Sequence, residues 1–224
     1  MTTLIDVSHT IHAGMITYYG LPGPKISDFL SREQSRSHYA AGTEFQIGYI
    51  EMVANTGTYI DSPFHRYPSG ADLAELELSS LANIEGIVVR CVDDQLRNIT
   101  GKKIELLSRS RSLKNMAVLF HTGWDRHWRS ERYWEGDHPF VTADAAELLS
   151  RLEVRLVGID SYNIDDIKDG GRPAHSILLE RGIPIVEHLC GLAELPDLGF
   201  RFFAVPPKVK AFGSFPIRAF AIVS

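Results

Sequence analysis

Short apolar runs recur along this chain and are separated by segments rich in glycine, proline and polar residues. Runs of this length, either apolar throughout or alternating with polar residues, are typical of β-strands. The pattern predicts eight strands, at residues 4–7, 45–53, 87–92, 117–121, 156–160, 183–186, 200–205 and 217–223. We therefore expect strands to dominate the secondary structure.

Apolar residues at helical spacing are less frequent. They predict helices at residues 72–78, 103–107, 142–152 and 175–181. Thr142 is the expected N-cap of the third helix, and Gly182 is placed to end the fourth. Strands interleaved with few helices indicate an α/β domain with a mixed sheet. Because no repeat or linker interrupts the chain, we expect residues 1–224 to form a single domain.

The composition bounds the class of protein without specifying its chemistry. The 224 residues are 44% hydrophobic and 23% charged, as in globular proteins, and carry a formal net charge of −5 without a long basic or acidic block. We therefore expect no nucleic-acid partner and no membrane partner. The first residues lack the basic start and apolar centre of a signal peptide, and Cys91 and Cys190 lie far apart. These features predict a cytoplasmic protein with two buried, reduced thiols.

The segment from Asn55 to His65 carries the densest candidate chemistry and reads Asn-Thr-Gly-Thr-Tyr-Ile-Asp-Ser-Pro-Phe-His. Asp61 and His65 are of residue types that bind divalent metals, and a loop across the Ser-Pro turn could direct both into one pocket. Gly57 is expected to be required by the backbone. A divalent metal bound in such a pocket could generate a strong nucleophile and polarise a carbonyl group.

Further candidates lie in the second half of the chain. His175 stands at the start of a predicted helix and Glu187 follows the apolar run 183–186, positions where α/β scaffolds present functional groups. Asp160 is predicted to be a buried, hydrogen-bonding carboxylate. The polar segment 165–173 lacks the EF-hand pattern and is predicted to be a solvated loop. The absence of a GxSxG elbow and of a phosphate-binding glycine loop argues against a serine hydrolase or a nucleotide enzyme.

The segment 55–65 resembles the signature His-x-Gly-Thr-His-x-Asp-x-Pro-x-His of the cyclase/kynurenine formamidase family of metal-dependent amide hydrolases. The matching positions are Gly57, Thr58, Asp61, Pro63 and His65. Asn55 and Tyr59 stand where the family has histidines. Other segments of the chain also resemble parts of the family, and they occur in the order expected for it. They lie at residues 6–11, before the signature, and at 120–125, 158–160, 173–175, 178–183 and 215–221, after it.

The resemblance implies a swivelling β/β/α fold and, in the family, a site for two metals. Asp61, His65, His175 and Glu187 match one complete ligand set, whereas Asn55 and Tyr59 replace ligands of the other metal. Three outcomes stay open: one metal bound by the complete set, a second bound weakly through Asn55, Asp61 and water, or none. We expect the first outcome, with zinc or manganese.

The function implied by the resemblance is hydrolysis of an aryl formamide such as N-formyl-kynurenine, or of a related cyclic amide or ester. His65 or His175 would move protons when not ligating, and Tyr59 would be either a packed aromatic or a donor to a developing oxyanion. A metal-free protein that binds a small molecule is the alternative from a different class. The resemblance also implies a homodimer or homotetramer. The aromatic segment 124–134 is interpreted either as a lid or subunit contact or as a well-packed loop.

Overall fold

The computed structural model of the protein describes residues 2–92 and 97–223. Within these ranges the strands and α-helices, in chain order, are β1 (Thr3–Asp6), β2 (Lys25–Leu30), α1 (Arg32–Ser35), β3 (Ile47–Glu51), β4 (Tyr59–Asp61), β5 (Ile84–Arg90), β6 (Asn98–Ile99), α2 (Gly101–Ser110), β7 (Ala117–His121), β8 (Phe140–Val141), α3 (Ala143–Arg151), β9 (Leu156–Ile159), α4 (Pro173–Glu180), β10 (Ile185–Glu187), β11 (Phe200–Phe203), β12 (Ser214–Pro216) and β13 (Phe220–Val223). The expected α/β fold with many strands and few helices is confirmed.

Nine of these strands form one mixed sheet in the order β1-β13-β11-β5-β7-β9-β10-β4-β12. The central strands β5, β7, β9 and β10 are parallel, and the flanking pairs are antiparallel. Successive side chains of a strand point to opposite faces. In β7, accordingly, Val118 and Phe120 pack with the helices α2, α3 and α4, whereas Ala117 and Leu119 pack into a second apolar cluster on the other face. The sheet is covered on both faces, which explains why its central strands are apolar throughout.

One predicted helix is wrong. Residues 72–78 form turns that lead into a 3₁₀ helix at Leu78–Ser80. The reason is local: the side chain of Asp72 accepts hydrogen bonds from the backbone N–H groups of Ala74 (2.8 Å) and Glu75 (3.0 Å). Such bonds replace the helical backbone pattern with an Asx turn.

The signature segment differs from the loop that the sequence suggested. Asp61 ends the strand β4, which pairs with β10 on one side and β12 on the other. The strand is short because Gly57 and Pro63 bound it. Gly57 has a φ of +63°, which confirms its expected backbone role.

Strands β2 and β3 form an antiparallel ribbon, residues 25–51, outside the main sheet. Every residue of β3 is exposed, and in β2 only Leu30 is partly buried. Alternating apolar residues at 45–53 correctly indicate a strand, but neither of its faces meets the core.

The aromatic segment 124–134 packs within the chain. Trp124 and Tyr133 are buried in a cluster with Tyr162, and Trp128 stacks on His9 with ring centroids 3.9 Å apart. The segment is therefore a well-packed loop, and a subunit contact through its partly exposed Trp128 and Trp134 stays a prediction. This segment contributes to stability through large buried aromatic surfaces.

Two further expectations can be compared with the structure. No helix among the described residues is long and apolar enough to cross a membrane. Cys91 is buried, but Cys190 is partly exposed, so the prediction of two buried thiols is wrong for Cys190. Cys190 lies in the loop between β10 and a 3₁₀ helix at Leu192–Glu194, and neighbouring side chains cover it only in part.

Candidate active site

The pairing register of three strands places the candidate side chains on one face of the sheet. Tyr59 lies opposite Glu187 of β10, and Asp61 lies opposite Ser214 of β12. Residues that are directly opposite or two apart along a strand share a face. Tyr59, Asp61, Glu187 and Ser214 therefore project together.

Asp61 is the centre of this group and is fully buried. Its Oδ1 accepts a hydrogen bond from Ser214, whereas its Oδ2 has no hydrogen-bond partner among the described residues. Nε2 of His175 lies 3.5 Å from Oδ2, and Nδ1 of His65 lies 3.7 Å from Oδ1. The potential ligand atoms of Asp61, His65 and His175 all lie within 4.8 Å of one another. A buried carboxylate that lies between two imidazoles, one near each oxygen, fits a divalent cation, which would supply the partner that Oδ2 lacks.

His175 is fixed by a carboxylate that the sequence analysis placed in a solvated loop. Asp165 is buried and accepts hydrogen bonds from the backbone N–H groups of Ala174 (2.6 Å) and His175 (3.1 Å) at the start of α4. It also accepts from Nδ1 of His175 at 2.6 Å. With Nδ1 directed at Asp165, Nε2 faces Asp61 and is the nitrogen that a metal would bind in place of a proton, the usual arrangement behind a metal-binding histidine.

Carboxylates dominate the electrostatics of this region. Burial by itself lowers the pKa of His175, but Glu187, Asp165 and Asp61 raise that pKa to about 10. Burial raises the pKa of Glu187, and the neighbouring His175 opposes this shift. The excess of buried acidic groups is the charge environment that a divalent cation neutralises.

His65 reaches the cluster from the 3₁₀ helix Pro63–His65, and its side chain is 37% exposed. Oγ of Ser214 lies 2.8 Å from its Nδ1. Because that hydroxyl donates to Asp61, its oxygen accepts the Nδ1 proton of His65, which leaves Nε2 of His65 free. Gly213 permits this close approach, since a Cβ there would lie 2.6 Å from the backbone of His65.

Glu187 lies beside the cluster but is already bound by neutral donors. Its Oε1 is 3.7 Å from Nε2 of His175 and accepts a 2.6 Å hydrogen bond from the backbone N–H of Ile164. Its Oε2 accepts from the hydroxyls of Tyr59 and, at 3.2 Å, Tyr18. Burial and the charge of Glu187 raise the pKa of Tyr59 well above its usual value, so that hydroxyl stays protonated. A phenol that binds Glu187 thus stands where the family signature has a histidine.

Tyr59, His65, His175 and Glu187 line a cavity of about 360 Å³. Asp61 and Asp165 are fully buried and do not line it, but both lie against His175, and these six residues are called the base of the cavity. Tyr18 and Leu21, which precede the ribbon, and Asn55, which follows it, line the walls. Arg66 and Arg172 also line the cavity. The volume is within the range of small-molecule sites.

Sequence reasoning missed Asp165, Ser214 and Tyr18. The usable signal for Asp165 was its place shortly before Pro173, which opens α4 and leaves backbone N–H groups in need of an acceptor. Asp160 is buried as expected and accepts hydrogen bonds from the backbone N–H and the hydroxyl of Thr122, at 2.8 and 2.6 Å.

An α/β domain with an Asp–His–His cluster beside a cavity has the residue types and the setting of an enzyme active site. The chain belongs to the family described as "Putative cyclase", whose sequence model matches residues 5–166.

Relatives and solved structures agree with this assignment. The kynurenine formamidase of Bacillus cereus is 28% identical over 217 residues, which span 96% of this chain and 95% of that protein. The kynurenine formamidase of Erythrobacter litoralis is 27% identical over 204 residues, or 91% and 86% of the two chains.

Among structures, a potential metal-dependent hydrolase with cyclase activity superposes with a TM-score of 0.81 at 25% identity, covering 100% of this chain and 99% of the other. Isatin hydrolase A from Labrenzia aggregata gives a TM-score of 0.83 at 20% identity, covering 99% and 94%, and this likeness concerns the fold alone. The comparisons confirm the family resemblance and the fold class. They also confirm, at the level of the family, the expectation of an amide-hydrolase-like enzyme.

Proposed function

We propose that this protein is a metal-dependent hydrolase of an aryl formamide of the N-formyl-kynurenine type, or of a related cyclic amide or ester. The kynurenine formamidase relatives support the substrate class. The observation that carries the metal dependence is the buried Oδ2 of Asp61, which meets no hydrogen-bond donor within residues 2–92 and 97–223. Nε2 of His175 lies 3.5 Å from this oxygen, and Nδ1 of His65 lies 3.7 Å from the other oxygen of the same carboxylate.

One divalent cation, zinc or manganese, fits this donor set. Asp61, His65 and His175 would hold it, and Glu187 would join them on giving up its hydrogen bond to Tyr59. Imidazole and carboxylate ligands suit both metals. When bound, the cation supplies a Lewis acid for the carbonyl and lowers the pKa of water to about 7.

The surrounding side chains have distinct proposed roles. Asp165 holds the Nδ1 proton of His175, and Ser214 orients both His65 and Asp61. Because His65 is partly exposed, it is placed to move a proton between the substrate and solvent. We assign Tyr59 to the positioning of Glu187, since its hydroxyl already donates to that carboxylate.

A metal-free binding protein is the second candidate function. It is favoured by the way Glu187 is satisfied by Tyr59, Tyr18 and Ile164 without a cation. In such a protein the cavity would bind a small molecule without hydrolysing it.

Metal content and turnover separate the two candidates. Protein purified without chelator is expected to contain about one divalent ion per chain and to hydrolyse N-formyl-kynurenine. Chelation should abolish the activity, and zinc or manganese should restore it. A protein that takes up no metal would contradict the hydrolase proposal. Stoichiometric metal with turnover of a cyclic amide only would correct the substrate.

We also propose that the reaction takes place in the cytoplasm. Cys91 and Cys190 are thiols, as is usual in reducing compartments. Fractionation of cells that express the tagged protein would test this location, and recovery outside the cytoplasmic fraction would contradict it.

We further propose a homodimer in which the ribbon of one copy packs on the other. A two-stranded ribbon is marginally stable alone in water. Exposed large apolar side chains in residues 25–51 are Ile26, Phe29, Tyr39, Phe45, Ile47, Tyr49 and Ile50. With aromatic side chains of about 150–250 Å², these half-exposed groups offer on the order of 700 Å², against about 800 Å² per partner in a standard interface.

The mass of the protein in solution tests the dimer. We expect about twice 25.0 kDa by light scattering at micromolar concentration. Phe29→Ser with Tyr49→Ser should shift the mass toward the monomer. Leu4→Ser, at an exposed apolar residue of β1 outside the ribbon, is the matched control. A monomeric wild-type protein would contradict the proposal, and a dimer that resists the double change would place the interface elsewhere.

A further inference from the structure

Two arginines at the cavity have no role in the hydrolysis proposed above. Arg66 and Arg172 line the same cavity as His65 and His175. Their hydrogen-bond partners in the part of the chain that the structure describes are neutral: Ser176 for Arg66 and Asn163 for Arg172. Two guanidinium groups therefore border the cavity with donors to spare.

Arg172 is held in an unusual backbone conformation beside the active-site histidine. It has a φ of +47° and a ψ of +59°, and it directly precedes α4, which carries His175. Its Nη1 lies 3.4 Å from Oδ1 of Asn163, whose amide nitrogen in turn lies 3.2 Å from the hydroxyl of Tyr18. Left-handed backbone at a residue other than glycine persists where the surroundings fix it, and such residues cluster at functional sites.

Arg66 approaches the cavity from the neighbouring element. It follows His65 directly, and its Nε lies 3.3 Å from Oγ of Ser176, in the first turn of α4. Its guanidinium carbon lies 5.4 Å from the ring centroid of Tyr67. Arg66 is exposed and Arg172 partly buried, so both guanidinium groups lie at the rim rather than at the base.

The charges of the cavity are thus divided between its base and its rim. The base contains the buried carboxylates of Asp61, Asp165 and Glu187, which repel a further anion. The rim carries the two arginines, whose planar groups match the geometry of a carboxylate. A substrate with an anionic end and a neutral amide would enter with the amide toward the base.

We propose that Arg66 and Arg172 bind a carboxylate of the substrate, so that the enzyme prefers aryl formamides that carry an anionic group. This inference rests on the proposed function and adds the feature by which the substrate is selected and oriented. Arg66 and Arg172 are positioning residues, since they contact the substrate away from the bond that is broken.

The test compares two substrates that differ only by a carboxylate, formanilide and N-formylanthranilate. The wild-type enzyme should prefer N-formylanthranilate in kcat/KM by about tenfold or more, the effect of one charged hydrogen-bonded pair. Arg172→Gln and Arg66→Gln should each reduce that preference, mainly through KM. Arg172→Lys should retain part of it, because lysine keeps the charge but not the two-pronged geometry.

Arg181 provides the matched control. It follows the last residue of α4, about 13 Å along the helix axis from Arg172. Arg181→Gln should keep the wild-type preference. Thermal melts of all variants verify that the fold is retained.

The outcomes distinguish this inference from the proposed function. Equal kcat/KM for both substrates in the wild-type enzyme, unchanged in the arginine variants, would overturn the carboxylate site alone. If the metal-loaded protein hydrolyses neither substrate, the aryl-formamide part of the proposed function fails, and calorimetry with anthranilate and aniline decides the carboxylate site. Tighter binding of anthranilate that Arg172→Gln weakens would support it, and equal binding of both ligands would overturn it.

Discussion

The base of the cavity and the ribbon β2–β3 both invert the usual distribution of side chains. At the base, the carboxylates of Asp61, Asp165 and Glu187 are fully buried. In the ribbon, Phe29 is 75% exposed and Phe45 53% exposed. Buried charges and clustered exposed aromatics are each uncommon in a globular protein. Both inversions therefore need a physical explanation.

The two regions differ in how far the chain itself compensates for the inversion. Asp165 and Glu187 accept hydrogen bonds from backbone N–H groups and from neighbouring side chains, so most of the base is satisfied internally. The ribbon, in contrast, has its two strands paired with each other and most of its surface open. A single bound cation would therefore compensate the charge left at the base, whereas the exposed apolar side chains of the ribbon can be buried only by the surface of another protein chain.

Asp61→Asn should have the largest effect on the base. The amide keeps the size of the side chain and an acceptor for Ser214, but it removes the charge that attracts a cation. We expect the metal content to fall to below about a tenth of an ion per chain and turnover to fall by about 10³-fold or more. Stability of the metal-free protein should change little, because the substitution removes one of three clustered buried carboxylates but also its attraction to His175. Elemental analysis, steady-state kinetics and thermal melts measure the three quantities. Stoichiometric metal in this variant would contradict the assignment of Asp61 as a metal ligand.

Asp165→Asn should have an intermediate effect. Loss of the carboxylate weakens the hydrogen bond that keeps the proton on Nδ1 of His175, and metal affinity should fall about 10–100-fold. Asp169→Asn, in the same loop but exposed, is the control. Competition with a chelator of known affinity measures both. Equal metal affinities in the Asp165→Asn and Asp169→Asn variants would contradict the proposal that Asp165 positions His175 for metal binding.

Local patterns in the sequence account for a large part of the fold and of the site. Apolar runs predict the central strands because both faces of the sheet are covered, and the resemblance to the family brings Asp61, His65 and His175 into one hypothesis. Asp165 could not be predicted in the same way. Its burial depends on the packing of α4 against the sheet, and a polar, glycine-rich segment has the composition of a solvated loop.

The ribbon shows the complementary limit of sequence patterns. Apolar alternation at residues 45–53 predicts a strand with one covered face, but it does not identify the element that covers that face. Residues 25–30 carry no comparable run, so β2 was missed. Within the described chain, nothing from the core reaches these strands, and the alternation therefore indicates a strand without locating its partner.

Phe29→Ala should have the smallest effect on the monomer, and Phe202→Ala sharpens the contrast. Phe202 is fully buried in β11, so its truncation should lower the free energy of unfolding by about 3–5 kcal/mol. Phe29 lies in the exposed ribbon, and its truncation should cost less than about 0.5 kcal/mol where the chain is monomeric. At higher protein concentration the wild-type dimer gains stability by mass action, so the difference between wild type and Phe29→Ala should grow, whereas the Phe202→Ala deficit should persist at every concentration. Urea unfolding at two protein concentrations measures both. A wild-type midpoint independent of concentration, together with a small Phe29→Ala effect throughout, would mean that no second copy covers the ribbon.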